Sequence, residues 1–174
     1  MKKRTKHLAV LNELLLTATL TTTAMALTLD SWYVFYDGDF FHYRAGLFQG
    51  CTFLLNCGSI KHVVLTFCIT SVVMAILFML ASLSVLSLRN YCDLQSPSRY
   101  STFLRALAGF SALQGFFLFV SLVMYAVTAY EETAFSLLAY GGAYGVSFKL
   151  MCFPMTTAFG AAGLNTFELL RDTG

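Results

Sequence analysis

Residues 63–88 read VVLTFCITSVVMAILFMLASLSVLSL, 26 positions without an Asp, Glu, Lys or Arg. As a helix this stretch would be about 39 Å long, more than enough to cross a hydrocarbon layer about 30 Å thick. The rest of the chain agrees with that reading. Of its 174 residues, 57% are apolar and 11% charged, against about 45–50% and about 25% in a soluble domain. A surface facing water cannot be built from so few charges. A soluble enzyme, a nucleic-acid binder and a disordered chain are therefore excluded as leading readings, and the lipid bilayer is the first implied partner. The net charge of +2 points to no polyanion.

Three further apolar runs flank this one, at about 8–29, 103–128 and 139–164. The first is rich in threonine, whose hydroxyl can bond back to a helix carbonyl in lipid. The third contains Arg105 and the fourth Lys149. The expected architecture is one membrane domain over residues 1–174, with outer segments at about 30–62 and 129–138 and an inner loop at about 89–102. Basic residues at span ends set the orientation. With the N-terminus inside, Lys2, Lys3, Arg4, Lys6, Arg89, Arg99, Arg105 and Arg171 are cytosolic, eight of the 11 Lys and Arg. Both termini are then expected in the cytosol. A competing reading takes the basic start and Ala24-Met25-Ala26 as a cleaved signal peptide, which would leave three spans.

The first outer segment, DSWYVFYDGDFFHYRAGLFQGCTFLLNCGSIKH, is rich in aromatic residues. Trp32–Tyr36 and Phe40–Tyr43 read as short strands about a turn at Asp37-Gly38. Cys51 and Cys57, with five residues between them on an oxidising face, most simply form a disulfide; two free buried thiols are the alternative.

Trp32, Gly46-Leu47-Phe48, Cys51 and Cys57, in that order, resemble the W…GLW…C…C signature of the claudin, peripheral myelin protein, epithelial membrane protein and lens fibre membrane protein superfamily. Phe48 stands where the triplet usually ends in Trp. The stretch YGVSFKLMCFPMTTAFGAAGL in the last run is similar to the family's fourth helix. The resemblance covers nearly the whole chain. It implies an all-α bundle of four transmembrane helices with a small antiparallel β-sheet on the outer face. It assigns Cys51 and Cys57 to the family disulfide, and packs Trp32, Leu47 and Phe48 between sheet and helix ends. The outer segment is short for a claudin and fits the myelin, epithelial and lens branch better. The terminal Arg171-Asp172-Thr173-Gly174 lacks the hydrophobic residue that a carboxylate-binding scaffold domain needs.

Other residues have plainer readings. Glu13 and Lys149 are intramembrane functional candidates by default, although both are explained by positions near the interface. If the fourth span begins near 139, Lys149 lies about 15 Å deep; if near Gly145, it can snorkel outward. Gly141 and Gly145, Ala158 and Ala162, and Ala108 and Ala112 have the spacing that lets helices approach closely in lipid. Pro154 is expected to kink the fourth helix. Cys92, just inside the second span, is a palmitoylation candidate. Cys68 and Cys152 read as packing residues. His7, His42 and His62 have no metal-ligand spacing, no sequence of the Asn-x-Ser/Thr type occurs, and no catalytic motif, cofactor or metal is implied.

The function expected is non-enzymatic: a plasma-membrane tetraspan that contacts other membrane proteins in cis or trans, with homo-oligomers among the options and no nucleic acid. Partner contacts would come from Tyr33, Phe35, Tyr36, Phe40, Phe41 and Tyr43. The alternatives are an auxiliary subunit of an ion channel or receptor, since YGVSF also resembles the calcium-channel gamma branch, and, less favoured, an intramembrane transporter or enzyme using Glu13 and Lys149. A paracellular pore is disfavoured, because Asp30, Asp37, Asp39, Arg44 and Lys61 give the outer segment only −1.

Overall fold

A computed structural model describes the backbone of residues 2–29, 31–37, 40–45, 49–52, 57–59, 63–91, 97–136 and 141–173. Side-chain surroundings are described for residues 10–29, 31, 32, 34, 66–88, 100–127 and 144–171. In chain order the elements are α1 (Lys2–Thr28), β1 (Tyr33–Asp37), β2 (Phe40–Ala45), β3 (Gln49–Thr52), β4 (Cys57–Ser59), α2 (Val63–Tyr91), α3 (Pro97–Ser136), β5 (Gly141–Tyr144) and α4 (Val146–Thr173).

The helices run up and down beside one another. Asn12 meets Asn165 and Thr19 meets Thr157, so α1 and α4 are antiparallel. Cys68 meets Ser121 and Gln114 meets Met79, so α2 and α3 are antiparallel too. The starts of α1 and α3 therefore share one end of the bundle with the finishes of α2 and α4. Pro97 opens α3 at the first helical position, where its missing N–H costs nothing. One core cluster (Ala26, Trp32, Cys68, Val72, Ala75, Leu118, Leu122, Tyr125, Met151) fills the end nearest the strands. A second (Leu16, Met79, Leu86, Leu107) fills the other.

Outside these clusters the helices present large apolar side chains. Leu77 and Phe116 are each 53% exposed and Leu170 66%. Patches of that kind are not left bare in water. Among the described residues, three helices are long and apolar enough to cross a membrane: Val10–Thr28, Thr66–Leu88 and Tyr100–Val127. The chain is a multi-pass membrane protein.

The expected fold class, an all-α bundle of four apolar spans with a small sheet from the first outer segment, is corrected on three counts. First, α4 is long enough to cross but is not among the helices apolar enough to do so; its length is broken up by Pro154, Thr156, Thr157, Gly160, Gly163, Asn165 and Thr166. Second, the strands do not form a small sheet confined to the first outer segment. They make five strands in the order β4-β3-β2-β1-β5, and β5 comes from residues assigned to the fourth span. Third, α3 continues to Ser136 and α4 begins only at Val146, so the fourth apolar run starts as a strand. Gly141 is in that strand, so the spacing of Gly141 and Gly145 is not a helix-packing motif.

All pairings in the sheet are antiparallel. The β1–β2 hairpin sets Phe35 opposite Tyr43 and Tyr36 opposite Phe41, with a register shift between Phe35 and Tyr36. The aromatic and β-branched content of Tyr33–Asp37 suits a strand. β1 also pairs with β5, from Tyr33 opposite Tyr144 to Tyr36 opposite Gly141. That ladder does not stop at the strand ends. The Gly145 N–H donates to the Trp32 carbonyl at 2.9 Å, and the Ser147 N–H to the Ser31 carbonyl at 3.1 Å. The exit of α1 is thus bonded, backbone to backbone, to the start of α4.

Gly145 is required by that closeness. A Cβ built there would lie 1.9 Å from the Ser31 carbonyl oxygen, whereas one at Gly163 meets nothing within 4 Å. Gly145→Ala should therefore destabilise by more than the roughly 1–3 kcal/mol of ordinary overpacking. Gly163→Ala should be neutral or stabilising by up to about 1 kcal/mol, from helix propensity. Thermal unfolding of the two purified variants in detergent checks the contrast; equal midpoints would show that Ser31 moves aside freely.

Candidate functional site

The residue around which the sheet end is organised is Trp32. It is 0% exposed, although it follows directly on the end of α1. Its indole N–H donates to the Ala26 carbonyl at 2.9 Å. That carbonyl lies in the last turn of α1, where intrahelical partners run out. The Tyr125 ring of α3 sits 4.9 Å away at a tilt of 56°, and Phe148 of α4 packs edge-on at 6.3 Å. Phe148 in turn stacks on Tyr144 at 4.4 Å. A tryptophan suits the place, because a large apolar ring fills the bundle end while its one polar atom has an acceptor.

The β3–β4 pairing puts Cys51 directly opposite Cys57. Directly opposed residues of an antiparallel pair have Cα atoms about 4.5–5.5 Å apart, inside the range of about 4.4–6.8 Å that a disulfide spans. The side chains of both cysteines lie outside the described residues. So do Gly46, Leu47, Phe48 and Cys92 altogether. Of the expected partner-contact residues, Tyr33, Phe35 and Tyr36 are in β1, and Phe40, Phe41 and Tyr43 are in β2.

Glu13 and Lys149 are not brought together. Both are exposed. Lys149 is in the first turn of α4, so the shallow placement holds and it lies near the sheet end. The residue of α4 level with Glu13 is about Leu164, judged from the Asn12–Asn165 contact. Fifteen residues separate Leu164 from Lys149, about 22 Å of helix. Among the described residues no group of three or more His, Cys, Asp or Glu converges.

Several residues of the interior were not singled out from the sequence. Asn12 and Asn165 are 3% and 1% exposed and face one another across α1 and α4. Ser121 donates to the Cys68 carbonyl at 3.2 Å and ties α3 to α2. Gln114 is 1% exposed; its amide nitrogen reaches the Met79 sulfur at 3.6 Å, and its carbonyl oxygen has no protein partner. Tyr125 and Phe148 complete the tryptophan pocket. For Asn12, Asn165, Ser121 and Gln114 the sequence signal was polarity within an apolar run, and it is silent on which helix supplies the partner.

Compared with known proteins, the sequence matches no described family and no curated protein.

Trp32→Ala removes the ring and should cost about 3–5 kcal/mol. Trp32→Phe keeps most of the packing but leaves the Ala26 carbonyl without its donor, for about 1–3 kcal/mol. Unfolding midpoints in detergent rank the two; a Phe variant equal to wild type would show that the indole hydrogen bond is dispensable. Gln114→Met should be neutral or stabilising by about 1 kcal/mol, since it removes a buried acceptor that has no partner. A large loss of stability on the same assay would assign that oxygen a structural role.

Proposed function

We propose that this chain is a divergent relative of the claudin, peripheral myelin protein, epithelial membrane protein and lens fibre membrane protein superfamily. It acts without catalysis, in the plasma membrane, by contacting other membrane proteins through its sheet end. The observation that carries the reading is the register of β3 on β4, with Cys51 opposite Cys57. A superfamily signature read from residue order alone has the two cysteines where a disulfide between adjacent strands can close. The burial of Trp32 among the end of α1, Tyr125 of α3 and Phe148 of α4 supports the same reading.

In this reading the sheet faces outward and both termini are cytosolic. The charge distribution supports that orientation. Along the sequence, the segments that this reading places inside carry eight basic residues against Glu13, Asp93, Glu168 and Asp172, or +4; those it places outside carry Arg44, Lys61 and Lys149 against five acids, or −2. Between Arg105 and Tyr125 of α3 lie 20 helical steps, about 30 Å, the thickness of a hydrocarbon layer. The helix α1 is retained as a span rather than cleaved, because its Asn12, Leu16, Thr19 and Ala26 all lie in the interior. In this reading Cys92 belongs to the cytosolic loop, as a palmitoylation candidate. The aromatic strands β1 and β2 carry the contact residues Tyr33, Phe35, Tyr36, Phe40, Phe41 and Tyr43.

A role as an auxiliary subunit of a channel or receptor is the second reading. It rests on Tyr144–Phe148, the stretch similar to the calcium-channel gamma branch, which forms the β5–α4 junction on which Trp32 closes. Proximity labelling in the native cell followed by co-purification in mild detergent separates the readings. Recovery of a pore-forming subunit favours the auxiliary role; recovery of self-assembled copies or adhesion proteins favours the first.

Cys51→Ser, Cys57→Ser and the double variant should each reduce surface delivery to the same level, because either single change removes the whole cross-link. The cross-link closes a small loop and contributes about 2–3 kcal/mol on the loop-entropy view. Surface biotinylation and gel mobility with and without reductant measure this. Unchanged mobility together with wild-type surface levels would remove the disulfide, and with it the main support for the family reading.

A further inference from the structure

The fourth helix poses a problem that its neighbour solves. α4 is 28 residues long, but it is not apolar enough to count as a span by itself. An isolated asparagine in hydrocarbon leaves donors and acceptors without water, which is costly. In the folded chain Asn165 has no such deficit. Asn12 Nδ2 donates to Asn165 Oδ1 at 3.0 Å, and Asn165 Nδ2 lies 3.5 Å from Asn12 Oδ1 while donating to the Ala161 carbonyl at 2.8 Å. Two turns toward the sheet, the hydroxyls of Thr19 and Thr157 meet at 2.9 Å. Both lie on the same α1–α4 seam, with Thr23 and Ala161 also buried in these two helices.

We infer that α4 enters and stays in the bilayer only as the hydrogen-bonded companion of α1, with the Asn12–Asn165 amide pair as the principal lock. This inference rests on the orientation proposed above, in which α4 returns the chain to the cytosol. The order of synthesis suits it: α1 is made first and already presents Asn12 when α4 emerges. Asn12 meets the same requirement in reverse, because it too is buried in an apolar run and its partner arrives last. α4 differs in this from α1, α2 and α3, which all qualify as spans by composition alone. The pairing also assigns the threonine-rich composition of α1 a purpose, since Thr17, Thr19 and Thr21 all bond back to their own helix and Thr19 meets Thr157 of α4 as well.

The test places an Asn-Gly-Thr glycosylation acceptor after Gly174 of the full chain and expresses it with microsomal membranes. The chain has no acceptor of that type of its own, so any sugar reports the tag. When α4 crosses, the tag is cytosolic and unmodified; when it fails to cross, the tag enters the lumen and is modified. The wild-type tag should be mostly unmodified. Asn12→Leu should raise the ratio of modified to unmodified chains roughly three- to tenfold, the range that hydrogen bonds between membrane helices carry. Adding Asn165→Leu should restore the wild-type pattern, because α4 then needs no polar partner. Trp32→Ala, which loosens the sheet end without touching the amides, should leave the tag as in wild type. An Asn12→Leu chain indistinguishable from wild type, a double variant that is not restored, or equal modification with Trp32→Ala would overturn the inference. Full modification of the wild-type tag would overturn the cytosolic C-terminus itself, a separate failure.

Discussion

The rest of the structure depends on the joining of two backbones at the sheet end. The β1–β5 ladder runs past the strands into the bonds from Gly145 to Trp32 and from Ser147 to Ser31. It fixes the last turn of α1 against the first turn of α4, which are more than a hundred residues apart in the chain. The contact is close enough that only glycine fits at 145. Trp32 then converts a backbone junction into a packed one, by bonding to the frayed end of α1 and filling the space between Tyr125 and Phe148. Through this junction the strands are tied, backbone to backbone, to the exit of α1 and the start of α4.

The interior of the bundle is more polar than its hydropathy suggests. Asn12, Thr19, Thr23, Ser71, Ser82, Ser111, Gln114, Ser121, Ser147 and Asn165 are all buried, while many large apolar side chains, among them Leu77, Phe116 and Leu170, face outward. In water that distribution would be inverted. In lipid the apolar side chains lose nothing by facing out, and helix association is driven by close packing and by hydrogen bonds between helices. The pairs Asn12–Asn165, Thr19–Thr157 and Cys68–Ser121 are those bonds, and they fall on the two antiparallel seams α1–α4 and α2–α3.

Much of this was legible along the chain, and the errors share one cause. The uncharged run at 63–88 identified a membrane helix directly, since length and lack of charge are local properties. The strands Tyr33–Asp37 and Phe40–Ala45 were legible from local composition as well. The fourth helix was misjudged because apolar residues at 139–145 look alike in a span and in a strand, and only pairing with Tyr33–Tyr36 assigns Gly141–Tyr144 to the sheet. Gly145 looked like half of a helix-packing pair, whereas its real constraint is a carbonyl contributed by Ser31. Lys149 looked deep or shallow depending on where α4 starts, a boundary set by that same carbonyl.

By itself, the sequence determined the solvent: composition, run length and the lopsided distribution of lysine and arginine require a multi-pass membrane protein, because the free energy of transferring a side chain to lipid belongs to that side chain. The tertiary structure alone decided which polar groups face one another, why Trp32 is buried rather than lodged in the headgroups, and where α4 begins. Those are properties of pairs distant in sequence. A hydrogen bond between Asn12 and Asn165, or a steric limit between Ser31 and Gly145, has no local signature, because each partner alone is only a polar or small residue in an apolar run.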